Sequence, residues 1–241
     1  MTSGRDRLYL FFAATYLAQG MSGIIYEPLA YLLKDHLGLG PAQSAGFIWW
    51  MTFPLLLKPG FGLLSDLLPI RGLRRRPHFL LACALWLLCL ASLGLAPSFK
   101  YGSLLLLMTL VNVGMVMAAV VCDAVMIEQG RAAGRTGYFQ AVQIGVLYAT
   151  IVVTGLGGGW LAAHVPPQKV FALAAAFPLV ALVSVAWLRE PRQPARAPSS
   201  AAALASFLCT RRFWAVGAFI FLWSFTPFLG TAQFYYQSET L

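Results

Sequence analysis

Charge is scarce in this chain. Only 10% of its 241 residues are Asp, Glu, Lys or Arg, and the acids number eight against seventeen basic residues. Soluble domains carry about a quarter charged residues. A chain so poor in charge and 59% hydrophobic is therefore read as a polytopic membrane protein. Histidine and cysteine are scarce too, with three histidines (His36, His78, His164) and four cysteines (Cys83, Cys89, Cys122, Cys209). The histidines lie far apart in sequence, and the cysteines show no metal-ligand spacing. Cys83 and Cys89, six residues apart on one helix, are badly placed for a disulfide. The cysteines read as small core residues, and neither a metal nor any other cofactor is expected. H-E-x-x-H, G-x-S-x-G and phosphate-binding glycine loops are all missing, which argues against an enzyme. No stretch offers a cleavable leader with an A-x-A site, and the first apolar run is longer than a signal-peptide core.

What the chain has in abundance is long apolar runs. A membrane-spanning helix needs about 20 apolar residues, and seven runs qualify: about 8–33, 44–64, 78–96, 102–127, 138–163, 169–188 and 213–236. The connections after spans 1, 3 and 5 carry Lys34, Lys100 and Lys169. The N-terminus and the connections after spans 2, 4 and 6 carry thirteen arginines, from Arg5 to Arg212. This asymmetry predicts a cytoplasmic N-terminus in the cell's inner membrane, with Leu241 outside. It also assigns the net charge of +9 to topology, so no nucleic acid is expected as a partner. Trp49 and Trp50 fit an interfacial aromatic belt near the outer end of span 2.

The expected organisation is an all-α membrane bundle. Residues 1–188 form a six-helix half and 189–212 a Pro-, Ala-, Ser- and Arg-rich cytoplasmic linker. Residues 213–241 hold the first helix of a second half, with the chain cut short after it. A complete seven-helix sensor or receptor is the alternative.

Charges inside apolar spans are costly and mark functional or structural sites. Glu27 falls in the outer third of span 1, Lys58 in the inner half of span 2, and Asp123 near the inner end of span 4. Lys58 and Asp123 come out at similar depth and are expected to pair. Glu27 has no evident partner, which makes it the better proton site. Glu128 and Arg131, three apart on one helix, can pair as part of a cytoplasmic latch. Asp66 and the cluster Arg74, Arg75 and Arg76 lie in the loop after span 2. There Asp66 could cap a neighbouring helix, and the arginines could hold lipid phosphates or carboxylates. Gly20, Gly23, Gly157, Gly158 and the small-xxx-small pair Gly155 and Gly159 would let helices approach closely. Pro28, Pro54, Pro59 and Pro178 would let them bend.

The stretch from Lys58 to Pro77 resembles the loop between helices 2 and 3 of the major facilitator superfamily, through Gly62, Asp66, Gly72, Arg74 and Arg75. Three extra residues separate the acid from the second glycine. The fuller pattern of Lys58, Pro59, Gly62, Ser65, Asp66, Pro69, Ile70, Gly72, Arg74, Arg75, Arg76 and Pro77 is similar to the folate–biopterin transporter family, with Leu73 in place of a tyrosine. LGLGPAQ, from Leu37 to Gln43, and DAVMIEQGR, from Asp123 to Arg131, resemble the same family. The resemblance implies a carrier of a small organic solute such as a pterin- or folate-like anion. It further implies proton coupling and two six-helix halves around a cavity that opens alternately to each side. Spans 1, 4 and 7 would line that cavity, which offers Tyr26, Glu27, Asn112, Asp123, Gln233 and Tyr235 as substrate or proton residues.

Overall fold

In a computed structural model, the described residues are 4–188, 190, 209–224 and 230–240. Among the described residues, six helices are long and apolar enough to cross a membrane: α1 Asp6–His36, α2 Pro41–Leu67, α3 Arg76–Gly94, α4 Tyr101–Ala133, α5 Thr136–His164 and α6 Pro167–Trp187. Two more, α7 Arg211–Ser224 and α8 Gly230–Thr240, fall where the seventh span is expected. The described residues contain no strand longer than an isolated bridge. This is the all-α multi-pass bundle read from the apolar runs. The expected linker lies outside the described residues except for Glu190 and 209–212.

The helices alternate in direction, so the ends that carry the arginines gather on one side of the bundle. Within it, α1 packs on α5 and α6, α3 packs on α4 and α6, and α4 also contacts α2 and α5. Fully buried aromatic side chains lock the arginine end. Phe11 lies against Phe79 of α3 with ring centroids 5.2 Å apart, and Phe12 against Phe139 of α5 at 5.0 Å. Deeper in, Gly114 of α4 lets the backbone of α3 come so close that an added Cβ would lie 2.6 Å from the Ala82 carbonyl. Trp86 is buried at this crossing. Cys83, Cys89 and Cys122 are core residues as expected, whereas Cys209 is exposed.

Two helices change winding within their spans. In α1, a 3-10 turn over Ser22–Ile25 interrupts the α-helix, regular winding resumes over Tyr26–Tyr31, and a π turn follows over Leu32–His36. In α2, a 3-10 segment over Phe53–Leu57 contains Pro54 and is followed by Pro59, and the rings of both leave carbonyls one turn back without a donor. Prolines thus accompany the two 3-10 segments, Pro28 following that of α1 and Pro54 lying within that of α2, whereas the π turn holds none. The helices α2 and α5 are also the least covered, with 17% and 22% of their apolar windows buried against 44–50% in the other four. Trp49 and Trp50 form an exposed edge-to-face pair on α2. They lie about 12 Å from its start, deeper than the end of the helix.

The tightest helix contact joins α1 to α5. A Cβ on Gly20 would fall 1.7 Å from the Thr150 hydroxyl, and Gly158 lets α5 approach the Ile24 carbonyl and the stem of Glu27. Gly155 and Gly159 face open space, so the small-xxx-small pair is not the contact. The neighbouring Gly157 and Gly158 make it instead.

Candidate functional site

At the arginine end, the loop between α2 and α3 is a two-residue hairpin. Ile70 and Leu73 exchange backbone hydrogen bonds of 2.9 and 3.0 Å around Arg71 and Gly72, which have φ of 55° and 77°. Positive φ at both central positions is the geometry of a tight hairpin turn, and it accounts for the extra residues between Asp66 and Gly72. The hairpin delivers Arg75 to the start of α3 with only 6% of its surface exposed. Its guanidinium Nη2 lies 2.6 Å from both Asp66 Oδ1 and Glu128 Oε1, and its Nη1 donates to Ser65 Oγ at 2.6 Å. One buried cation thus ties the ends of α2 and α4 to the start of α3.

The acid at the α3 N-terminus is Glu190, beyond α6. One carboxylate oxygen accepts from the backbone N–H groups of Arg74 and Arg75 at 2.7 and 2.9 Å, and the other from Arg76 at 2.8 Å. These amides have no partner within the helix, and an anion there also meets the favourable end of the helix dipole. Asp66, the residue expected to cap a helix, pairs with Arg75 instead. Glu128 likewise turns to Arg75, and Arg131 is exposed with no ion pair among the described residues. Arg74 and Arg76 meet Glu190 through their backbones.

Deeper along the bundle, Asp123 accepts a 2.6 Å hydrogen bond from the hydroxyl of Tyr16 on α1. The Lys58–Asp123 pair does not form as an ion pair among the described residues. Lys58 is exposed on α2 and reaches the carboxylate only through its electric field. Beside this contact, the buried Gln143 of α5 donates to Cys122 Sγ at 3.6 Å, and its carbonyl oxygen is unpartnered. Asn112 is 1% exposed and donates back to the Met108 carbonyl one turn earlier, its own oxygen unpartnered. It faces protein rather than open space.

Toward the opposite end, α8 lies across α1 and α2. Ser44 and Tyr235 share a 2.8 Å hydrogen bond, and the Tyr235 hydroxyl donates to the Leu39 carbonyl. Lys34 donates to Ser238 at 2.6 Å and sits over the Tyr235 ring, 5.4 Å from its centroid. Tyr31 and Phe234 meet edge to face at 5.0 Å. Beneath this cover is a cavity of about 200 Å³ lined by Glu27, Ala30, Leu33, Ser44, Ile48, Thr231, Phe234 and Tyr235. Glu27 makes no hydrogen bond or ion pair among the described residues, nor does the buried hydroxyl of Thr231. Of the residues proposed from sequence, Glu27 and Tyr235 meet here. Gln233 and Tyr26 are exposed and do not line this cavity. No group of three or more His, Cys, Asp or Glu side chains suited to a metal occurs among the described residues.

Sequence reasoning passed over Tyr16, Ser44 and Glu190, and named Ser65 only as part of the family pattern. Tyr16 carried a usable signal, since a tyrosine deep in an apolar helix needs a partner for its hydroxyl. Glu190 carried none, because a separation of 114 positions from Arg76 hides their meeting.

The comparisons with known proteins agree with this architecture. A folate-biopterin transporter of Synechocystis sp. is 29% identical over 237 residues, covering 94% of this chain and 47% of its own length. The probable folate-biopterin transporter 4 of Arabidopsis thaliana is 32% identical over 179 residues, covering 73% of this chain and 36% of its own length. Folate transporter 2 of Plasmodium falciparum is 25% identical over 234 residues, or 93% of this chain and 50% of the relative. The chain thus spans about half the length or less of these curated relatives, which are named transporters and not enzymes. The model of the BT1 family matches residues 19–241, nearly the whole chain, from the middle of α1 through α8 and including both the Arg75 cluster and the Glu27 cavity. The chain belongs to the BT1 family.

Proposed function

We propose that this chain supplies the first six-helix half and the seventh span of a secondary transporter of the major facilitator type. In this reading residues 1–188 are that half, 189–212 the linker, and 213–241 the start of a second half. The transporter moves a folate- or pterin-like solute across the cell's inner membrane by alternating access, coupled to protons, with the N-terminus cytoplasmic. The observation that carries the reading is a cavity of about 200 Å³ at one end of the bundle, partly covered by α8 and edged by a carboxylate that has no partner among the described residues. A separate charge cluster lies at the other end. Alternating access needs closures of this kind at both ends, each able to open while the other holds.

In this reading Asp66, Arg75 and Glu128 close the cytoplasmic side, and Arg74, Arg76 and Arg131 add a basic rim that meets lipid phosphates. Tyr235, Ser44 and Lys34 close the outer side. Asp123 of α4, held by Tyr16 of α1, and Glu27 of α1 are the two carboxylate stations that a proton or solute would use, and Lys58 balances the charge of Asp123. The test is uptake of labelled folate and biopterin by the full-length protein in proteoliposomes under an imposed pH gradient. Glu27→Gln and Asp123→Asn should each reduce uptake or flatten its pH dependence. If both variants kept wild-type uptake at every pH, the coupling assignment would fail.

A further inference from the structure

The cavity between α1, α2 and α8 is built to accept hydrogen bonds rather than to donate them. An account of its hydroxyl protons shows why. Tyr235 has one proton and spends it on the Leu39 carbonyl, so in the bond with Ser44 it must accept, and Ser44 spends its own proton there. Neither hydroxyl then has a proton left to offer a ligand. Among the described residues, Glu27 adds a carboxylate with no partner, and no Lys, Arg or His lines the space. Thr231, 9% exposed, brings a hydroxyl with no partner, the one lining group with a proton still to give. The remaining walls are apolar or aromatic, with the rings of Phe234 and Tyr235 nearly perpendicular at 84°.

Glu27 is exposed at the edge of the cavity, so its carboxylate is open to donors from a ligand, and an anion brought beside it would be repelled. The complementary group is flat, apolar on its faces, and presents two adjacent N–H donors in the geometry a carboxylate accepts. We infer that this cavity is a head-group subsite that holds a planar N–H donor pair against Glu27, as in the 2-amino-4-oxo edge of a pterin ring, and that it turns away carboxylate tails. This rests on the reading of the chain as a carrier of pterin-like solutes, and it assigns the two ends of such a solute to different places. The pterin edge goes to Glu27. The negatively charged tail of a folate must lie elsewhere, so an uncharged pterin satisfies the site as fully as a folate does.

The experiment is ligand binding to the full-length protein in nanodiscs by calorimetry. The probes are 6-methylpterin, 6-methyllumazine (in which the 2-amino group is replaced by oxygen), p-aminobenzoylglutamate and benzamidine. The wild type should favour 6-methylpterin over 6-methyllumazine by about tenfold or more, because a site that accepts two N–H donors rejects an analogue that replaces a donor with an acceptor. In Glu27→Gln the preference should collapse, whereas Glu27→Asp should keep the rank order at lower affinity. Equal wild-type binding of the two pteridines overturns the inference without recourse to any variant. So does an unchanged preference in Glu27→Gln, or displacement of 6-methylpterin by p-aminobenzoylglutamate at comparable concentration. Binding of benzamidine alone, weakened by Glu27→Gln, would support the donor-pair site while overturning the pterin-like solute.

Discussion

Replacing Arg75 by alanine removes the one side chain that joins the ends of α2 and α4 to the start of α3. Its guanidinium is 8% exposed, whereas the carboxylates it holds are 50% and 54% exposed. That asymmetry sets the magnitude. A fully buried pair broken by loss of one partner costs about 3–5 kcal/mol, but half-solvated acids rehydrate once released, so each pair here contributes about 1 kcal/mol or less. The bond to Ser65 adds about 1 kcal/mol, and the total loss comes to about 2–3 kcal/mol. The reverse change behaves differently. Asp66→Asn with Glu128→Gln leaves the guanidinium buried without a counter-charge, and should cost more than Arg75→Ala, about 3–5 kcal/mol. Either acid substitution alone should cost about 1 kcal/mol or less. The predicted order is therefore double acid variant, Arg75→Ala, single acid variants. The chain carries its own reporter, since Cys83, Cys89 and Cys122 are buried and Cys209 is exposed. In a Cys209→Ser background, a thiol-reactive dye should stay dark until the bundle opens on heating. An Arg75→Ala melting midpoint at or above wild type would refute the argument, as would single acid variants that cost as much as Arg75→Ala.

Two further outcomes follow from the packing. Gly20→Ala should destabilise the bundle by about 1–3 kcal/mol through its clash with Thr150, and Thr150→Gly should recover part of the lost midpoint in the same dye assay. Glu190→Ala should expose the amides of Arg74, Arg75 and Arg76 to solvent at a cost of about 1–2 kcal/mol. The check is faster hydrogen exchange at those three amides, with exchange in the middle of α3 unchanged.

Much of the scaffold was legible in the sequence because a membrane span is a one-dimensional signal. Twenty apolar residues announce themselves without reference to the rest of the chain, and all six spans fall within a few residues of their expected bounds, except that α4 runs six residues further at its end. The partners of individual charges were far less legible. Equal depth suggested Lys58 for Asp123, but depth leaves azimuth open, and Tyr16 holds the carboxylate. Spacing on one helix suggested Arg131 for Glu128, yet a buried arginine from another element outcompetes an exposed neighbour. The cap of α3 was invisible because Glu190 lies in a stretch that composition describes only as a linker. The loop motif fared better. Pro69, Ile70 and Gly72 are local, and a two-residue hairpin is a local structure.

The uneven winding of α1 has a consequence for what faces what. Each residue of a 3-10 turn advances about 120° around the axis instead of about 100°, so the four residues Ser22–Ile25 overturn the helix by about 80°. The looser π turn over Leu32–His36 unwinds in the opposite sense. The segment that follows the 3-10 turn, with Tyr26 and Glu27, is therefore rotated by nearly a quarter turn out of phase with the stretch before it, like one tumbler of a lock. A helical wheel drawn through α1 with one uniform period aims Glu27 at the wrong neighbour. Returning the 3-10 turn to regular winding would swing Glu27 away from its cavity while the rest of the span, pinned by Gly20 against α5, stayed where it is.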